Sequence, residues 1–151
     1  MITLVVIPCA QRKIWDLYPR AGPTKAADAY TSAAFKLNKQ YAQTFGDAWL
    51  ILSAKYGLIT PDFIIPGSYD VTFNRPSADT VTIEQIQAQA QRLGLERYST
   101  IIGLGGKEYR RILVAAIAKF DGDQRFQFPF AGLPIGKAMR AVKQALYKET
   151  R

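Results

Sequence analysis

The chain of 151 residues contains no histidine, a single cysteine and a formal net charge of +8. This composition excludes an internal disulfide and any catalytic triad or dyad built on histidine, and it argues against a zinc site, which is usually held by histidine and cysteine. The length fits a single domain over residues 1–151, and the positive charge fits either a nucleic-acid partner or simply a basic soluble protein.

The apolar runs are strand-sized, well below the roughly 20 residues that a transmembrane helix needs. No basic region or cleavage pattern of a signal peptide opens the chain. Together with the lone thiol, these features predict a cytoplasmic protein that does not enter the membrane. We expect no bound metal or cofactor.

Hydrophobic periodicity predicts an alternation of strands and helices. The predicted strands cover residues 2–7, 48–52, 100–104 and 126–128. The predicted helices cover residues 32–44, 82–93, 107–120 and the stretch after Gly136, and Thr82 and Gln85 fit a capping box at the start of the second helix. Residues 14–29 and 59–71 are predicted to be irregular and 121–123 a turn. The pattern therefore predicts an α/β fold, a three-layer domain with a mostly parallel central sheet of about four strands flanked by helices.

Each predicted strand ends in a segment of small residues with a cation nearby. These segments cover residues 9–13, 53–57, 105–109 and 132–137. Ligands of open α/β sheets bind beyond the carboxyl ends of the strands, and the ends of parallel strands meet at one edge. We therefore expect the four segments to form a cationic hollow.

Glycines precede two of the predicted helices in these segments. Gly105 and Gly106 open one helix, and Gly132 and Gly136, with Lys137, open the last. Glycine lets the backbone approach a ligand and a helix N-terminus attracts an anion, so both are candidate anion sites, although small residues also serve ordinary turns. Neither segment matches a P-loop or a dinucleotide-binding fingerprint.

The candidate catalytic residues are Lys55, Asp70 and Glu108. Lys55 follows a buried strand and could hold an anion or act as a nucleophile, or it could be a surface lysine beside a packing tyrosine, Tyr56. Asp70 and Glu108 could act as general bases or serve only as caps and salt-bridge partners.

The remaining candidates would bind the ligand. Cys9 would be reactive if neighbouring cations stabilised its thiolate, and otherwise a buried inert thiol. Lys13, Ser53 and Tyr56 would contact the ligand beside it. The tyrosines Tyr30, Tyr69 and Tyr109 could stack on a base or simply pack in the core.

Several segments, in the same order along the chain, resemble segments of a known family. Residues 7–13 (IPCAQRK) lie where that family has an S-P-A-K-T-like strand end. Residues 52–62 (LSAKYGLITPD), followed by Tyr69-Asp70, resemble its L-S-G-L-Y-G-L-L-R-P-x-D…P-Y-R-L segment. Residues 102–109 resemble its N-L-A-S-x-E-Y turn, and residues 131–140 its Y-A-K-K-A-R-G-x-M-x-R segment. Through these segments the chain resembles the YaaA superfamily, whose larger members are bacterial peroxide-stress proteins reported to bind DNA.

The resemblance implies an α/β fold related to uracil-DNA glycosylases. The ILSAKYGL form also recurs in short bacterial and phage proteins, and it is distantly similar to the catalytic domain of archaeosine synthase, which acts on a modified tRNA base. This chain is much shorter than the peroxide-stress proteins and has no recognisable helix–hairpin–helix insertion.

Three hypotheses follow from the residues and the resemblance together. The protein binds nucleic acid or a nucleotide; or it is an enzyme that hydrolyses an N-glycosidic bond or modifies a base; or it is a non-catalytic interaction protein of a phage or stress operon. The third hypothesis predicts a flat surface at the strand ends rather than a concave pocket.

Overall fold

The computed structural model describes residues 2–117 and 125–149. The strands are β1 Thr3–Pro8, β2 Thr24–Lys25, β3 Ala48–Ser53, β4 Gly57–Ile59, β5 Ile64–Ile65, β6 Thr100–Gly103 and β7 Arg125–Gln127. The helices are α1 Ile14–Leu17, α2 Ala26–Ala29, α3 Ala33–Phe45, α4 Ile83–Arg92, α5 Lys107–Ile117 and α6 Ile135–Lys148, with a 3₁₀ turn at Leu95–Arg97. Phe120 and the predicted turn at 121–123 lie outside the described residues.

Five strands form the central sheet in the order β4-β3-β1-β6-β7. The pairs β1–β3, β1–β6 and β6–β7 are parallel, and only β4 runs antiparallel to its neighbour. This confirms the predicted α/β fold with a mostly parallel sheet, although the sheet has five strands instead of about four. The four predicted strands are the parallel ones, so their carboxyl ends lie at the same edge.

The extra strand, β4, belongs to a tight hairpin that the sequence patterns did not predict. Residues 54–56 connect β3 to β4, and Gly57 has φ +76°, the left-handed conformation that closes such short loops. The Gln89 side chain clamps the turn: its Oε1 accepts from the Leu58 N–H at 2.9 Å, and its Nε2 donates to the Tyr56 carbonyl at 2.7 Å. The segment after β3 is therefore a closed turn.

The two stretches predicted to be irregular contain short helices and strands, and a strand of one stretch pairs with a strand of the other. β2, α1 and α2 lie in residues 14–29, and β5 lies in residues 59–71. β2 and β5 pair as a small antiparallel sheet, which ties the first excursion to the second. Pairing between segments far apart in sequence leaves no local pattern, which explains why the prediction was wrong here.

Helices cover both faces of the sheet and make the predicted three layers. α3 and α6 cover the face that carries Val5 and Ile7, while α4 and α5 cover the face that carries Leu4 and Val6. Alternate residues of a strand point to opposite faces, so a strand covered on both sides is apolar throughout. Among the described helices, none combines the length and apolarity needed to cross a bilayer.

The helix boundaries follow local signals closely. The Ser32 hydroxyl caps α3 by accepting from the Phe35 N–H at 3.1 Å. Thr82 and Gln85 form the predicted capping box of α4. The last helix begins at Ile135, one residue before Gly136, so this glycine lies inside the first turn of α6.

Candidate functional site

The carboxyl ends of three parallel strands bring the first candidate residues together. The Cys9 N–H donates to the Leu52 carbonyl at 3.1 Å, and the Leu104 N–H donates to the Val6 carbonyl at 2.9 Å. These bonds continue the strand pairing beyond β1, β3 and β6. They fix Cys9 in the middle of the edge, with the end of β3 on one side and the end of β6 on the other.

On the β3 side, four side chains form a packed group that we call the tyrosine–lysine cluster: Lys13, Tyr30, Ser53 and Tyr69. All four are buried. The hydroxyls of Tyr30 and Tyr69 are 2.5 Å apart, and the Ser53 hydroxyl lies 3.0 Å from that of Tyr69. Tyr69 also packs edge-on against Tyr56, with ring centroids 5.4 Å apart.

One hydrogen bond of this cluster has a definite direction. The Ser53 oxygen accepts from the backbone N–H groups of Lys55 and Tyr56 at 3.2 and 3.1 Å. These two bonds occupy its lone pairs, so its own hydrogen is donated to Tyr69. In the bond between Tyr69 and Tyr30, either hydroxyl can be the donor. Burial, followed by the nearby Cys9, raises the pKa of both tyrosines, and both therefore stay protonated at neutral pH.

Lys13 is an unusual member of this cluster because it is a lysine with only 4% of its surface exposed. Its Nζ donates to the Gln11 carbonyl at 3.0 Å and lies 4.3 Å from the centre of the Tyr69 ring. Burial lowers its pKa below the ordinary value, and electrostatic interactions with Cys9, Asp16 and Asp70 oppose that shift. The cluster therefore holds a cation by a carbonyl and an aromatic face.

On the β6 side, the edge opens into a cavity of about 540 Å³. It lies between α3, α6, the start of α5 and the ends of β1 and β6. Apolar side chains form most of its wall, among them Phe35, Leu104, Phe130, Met139 and Val142. Its polar lining side chains are Gln11, Arg12, Ser32, Asn38 and Arg110, together with Cys9 and Tyr109. No carboxylate is found among the described lining residues.

Cys9 and Tyr109 connect the cavity to the cluster. The Cys9 Sγ lies 3.3 Å from the Tyr109 hydroxyl, and burial raises the pKa of Tyr109 so that this hydroxyl stays protonated. Gly105 has φ +116°, and a Cβ there would lie 3.1 Å from Pro8 Cγ and 3.2 Å from Tyr109 Cβ. Glycine at this position therefore lets Tyr109 pack close to the end of β1.

The predicted site residues separate into three groups in the structure. Cys9, Gly105, Gly106 and Tyr109 line the cavity. The tyrosine–lysine cluster holds four more and lies beside Cys9. The rest lie outside both, at the exposed or partly exposed surface.

Among the surface group, Lys55 is exposed, with its Nζ 5.4 Å from the Tyr56 ring and 5.8 Å from the Tyr69 ring. Asp70 is exposed near Lys13. Glu108 pairs with Arg111 at 3.0 Å, and the hydrogen bond from Arg111 holds its pKa below the ordinary value, which weakens it as a base.

The glycines of the last segment make no close approach to other atoms. Gly132 and Gly136 are exposed, and a Cβ added at either would meet nothing within 4 Å. Lys137 is exposed and does not line the cavity.

Most of the lining residues were not among the predicted site residues, and these include Arg12, Asn38, Arg110 and Met139. Arg12 lies inside the 9–13 segment, and Arg110 comes one helical turn after Gly106, so position alone pointed to both. No sequence signal marks Asn38 and Met139. They line the cavity only because α3 and α6 are separated there, and the sequence pattern does not show that separation.

Comparisons with known proteins place the chain in a family. Residues 4–144 match a model described as "Family of unknown function (DUF6884)". The chain is also 38% identical over 147 residues to the "Uncharacterized protein YfjM" of Bacillus subtilis (strain 168), a match that covers 97% of this chain and 96% of that protein. No solved structure matches the chain. The protein therefore belongs to the DUF6884 family.

Proposed function

We propose that this protein binds a nucleotide, either free or within a nucleic acid, in the cavity at the carboxyl edge of the sheet. The observation that carries the proposal is the chemistry of the lining: two guanidinium groups, an apolar wall with aromatic rings, and no carboxylate among the described lining residues. Guanidinium groups bind phosphate with two hydrogen bonds, and apolar walls suit a flat base.

The charge of the whole chain supports the same ligand class. The net charge is +8, and Arg12 and Arg110 take part in no ion pair within the described part of the chain. Arg110 uses its Nη1 in a hydrogen bond to the Gly105 carbonyl at 3.2 Å, so its other donors and those of Arg12 remain available for an anion. The resemblance to the YaaA superfamily supports the same ligand class. We also propose that the chain is related to that superfamily and that its fold is related to that of uracil-DNA glycosylases.

Isothermal titration calorimetry tests the proposal, with nucleosides, nucleoside monophosphates and short single-stranded DNA and RNA as ligands. We expect nucleotides to bind and Arg12→Ala or Arg110→Ala to weaken binding about tenfold or more, because a hydrogen bond to a charged group contributes roughly 1.5–3 kcal/mol. Binding of the oligonucleotides should weaken steeply with salt.

Arg92→Ala is the matched control. Arg92 is an exposed arginine at the end of α4, a helix that packs on the opposite face of the sheet from α3 and α6. This variant should bind like the wild type. A wild-type protein that binds none of these ligands at low salt, or arginine variants that bind as tightly as the wild type, would overturn the proposal.

A second candidate is an enzyme that hydrolyses an N-glycosidic bond or modifies a base. It is favoured by the position of Cys9, which lines the cavity next to a protonated tyrosine hydroxyl and beside the buried Lys13. A thiol, a hydroxyl donor and an amine together can supply a nucleophile and an acid or base.

Mass spectrometry of nucleosides and RNA or DNA incubated with the protein tests this candidate. Cys9→Ser and Lys13→Met should abolish any conversion, whereas variants at the surface residues Lys55, Asp70 and Glu108 should keep it if the chemistry takes place in the cavity. The alternative of a non-catalytic interaction protein predicts a flat edge, and a concave cavity of about 540 Å³ argues against it.

A further inference from the structure

One polar group on the cavity wall has no role in holding the fold. Asn38 lies in α3, is half-buried and lines the cavity. Its side-chain amide makes no hydrogen bond with any of the residues that the structure describes. The residue is partly exposed, so the amide can be hydrated in the open cavity and is available to pair with a ligand instead of water.

Helix α3 separates Asn38 from the backbone of Arg12. The Thr31 N–H donates to the Arg12 carbonyl at 3.1 Å, so Arg12 lies at the start of α3. Asn38 comes six residues after the Ser32 cap, or about 9 Å further along the axis at 1.5 Å per residue. Both ends line the same cavity. A ligand with an anion at one end and hydrogen-bonding groups at the other fits this arrangement.

We propose that Asn38 reads the hydrogen-bonding edge of a nucleobase while the phosphate lies toward Arg12. The inference rests on the proposed nucleotide-binding function and specifies which group recognises the base. A primary amide presents a donor next to an acceptor, and it pairs through two hydrogen bonds with a base that presents the complementary pair, as adenine does. Asn38 is thus a specificity-determining residue.

The test compares a nucleotide with a ligand that has the same sugar and phosphate but no base. Calorimetry would measure the affinity of the tightest nucleoside monophosphate and of ribose 5-phosphate for the wild type and for Asn38→Ala. A two-bond pair contributes roughly 1–3 kcal/mol, so we expect the nucleotide to bind about 5- to 150-fold more weakly to the variant. The affinity for ribose 5-phosphate should not change.

Two further variants make the result interpretable. Asn38→Leu keeps a similar volume without polar atoms and should show the same selective loss, which removes any dependence on how well the alanine variant packs. Asn74→Ala changes an exposed asparagine that does not line the cavity, and it should bind both ligands like the wild type. Circular dichroism and thermal melting of each variant monitor the fold.

The failures of the two proposals are distinguishable. If the wild type binds a nucleotide and both Asn38 variants bind it equally well, the inference is overturned while nucleotide binding stands. An equal loss for ribose 5-phosphate would also overturn it, since the amide would then act on the anion rather than on the base. A wild type that binds no nucleotide would overturn both.

Discussion

The two halves of the carboxyl edge differ in what their polar groups bind. In the tyrosine–lysine cluster, Ser53, Tyr69 and Lys13 have hydrogen-bond partners within the protein, and the three hydroxyls form one connected chain. In the cavity next to it, Arg12 and Asn38 have side chains with no hydrogen bond to the described residues, although about 540 Å³ of open space surrounds them. The polar side chains of the cluster are paired without a ligand, whereas these two side chains of the cavity are not.

Because of this difference, substitutions in the cluster should affect stability, and substitutions in the cavity should affect ligand binding. A buried polar group that is fully paired costs little in the native state, but removal of one partner leaves the others unpaired at a cost of about 1–3 kcal/mol. The side chains of Arg12 and Asn38 have no hydrogen-bond partner among the described residues to lose, and that of Arg110 has only the Gly105 carbonyl. Variants of the cluster should therefore lower the free energy of unfolding, and variants of Arg12, Asn38 and Arg110 should mainly lower affinity. Substitutions at individual positions can test whether stability and affinity depend on different residues in this way.

The largest effect is expected for Tyr69→Ala. This substitution removes a buried aromatic ring and the middle hydroxyl of the chain, so we expect the free energy of unfolding to fall by about 3–5 kcal/mol, as for other buried aromatic residues. Urea denaturation measures it. Tyr147→Ala is the control, since Tyr147 is 91% exposed and should change stability by no more than about 0.5 kcal/mol. Equal effects at both positions would contradict the account of the cluster.

Gly57→Ala should have the next largest effect because Gly57 closes the hairpin that carries Ser53. A Cβ at Gly57 would lie 2.0 Å from Gln89 Oε1, and φ is +76°. The left-handed conformation costs alanine about 1–2 kcal/mol, and displacement of Gln89 removes two hydrogen bonds, so we expect a loss of roughly 2–4 kcal/mol in urea denaturation. A loss below about 1 kcal/mol would show that the clamp is unimportant.

Lys13→Met tests the buried cation through the pH dependence of stability. Burial lowers the pKa of Lys13 in the folded protein below its ordinary 10.5. Between these two pKa values the unfolded chain binds more protons, so the free energy of unfolding contributed by Lys13 rises with pH. The stability of the wild type relative to Lys13→Met should therefore rise as pH increases from neutral toward 10.5 and be lowest at neutral pH. A flat or falling difference would contradict the burial of this charge.

The smallest effect is expected for Gly136→Ala. Gly136 lies in the first turn of α6, where an added Cβ meets nothing within 4 Å. Replacement of a helical glycine by alanine stabilises a helix by up to about 1 kcal/mol. We expect a small rise in melting temperature and no change in nucleotide affinity. A loss of affinity instead would show that the backbone at Gly136 contacts the ligand.

Local patterns predicted what depends on neighbours in sequence. The apolar runs predicted the four parallel strands, and the cap at Ser32 and the capping box at Thr82 predicted two helix starts. The convergence of the strand ends followed from parallel pairing alone. Gly57 was the available signal for the missed hairpin, since a glycine a few residues after a strand commonly closes a short loop.

The candidate site was harder to predict because its two halves depend on tertiary packing. No pattern distinguishes Lys13, which is buried against Tyr69, from Lys55, which is exposed near the same ring. The cavity exists because α3 and α6 leave a gap beyond β1 and β6, and periodicity does not determine that separation. Asn38 and Met139 therefore carried no signal before the fold was known.

Nuclear magnetic resonance of the Met139 methyl group tests the central claim most directly, because Met139 lines the cavity and the sequence contains only two methionines. The protein would be labelled with ¹³C-methyl methionine, the Met139 signal assigned through Met139→Leu, and a nucleoside monophosphate added. We expect a saturable shift of that signal, which Arg110→Ala moves to higher nucleotide concentration. A Met139 signal that stays unchanged at saturating nucleotide would contradict the proposal that the ligand occupies this cavity.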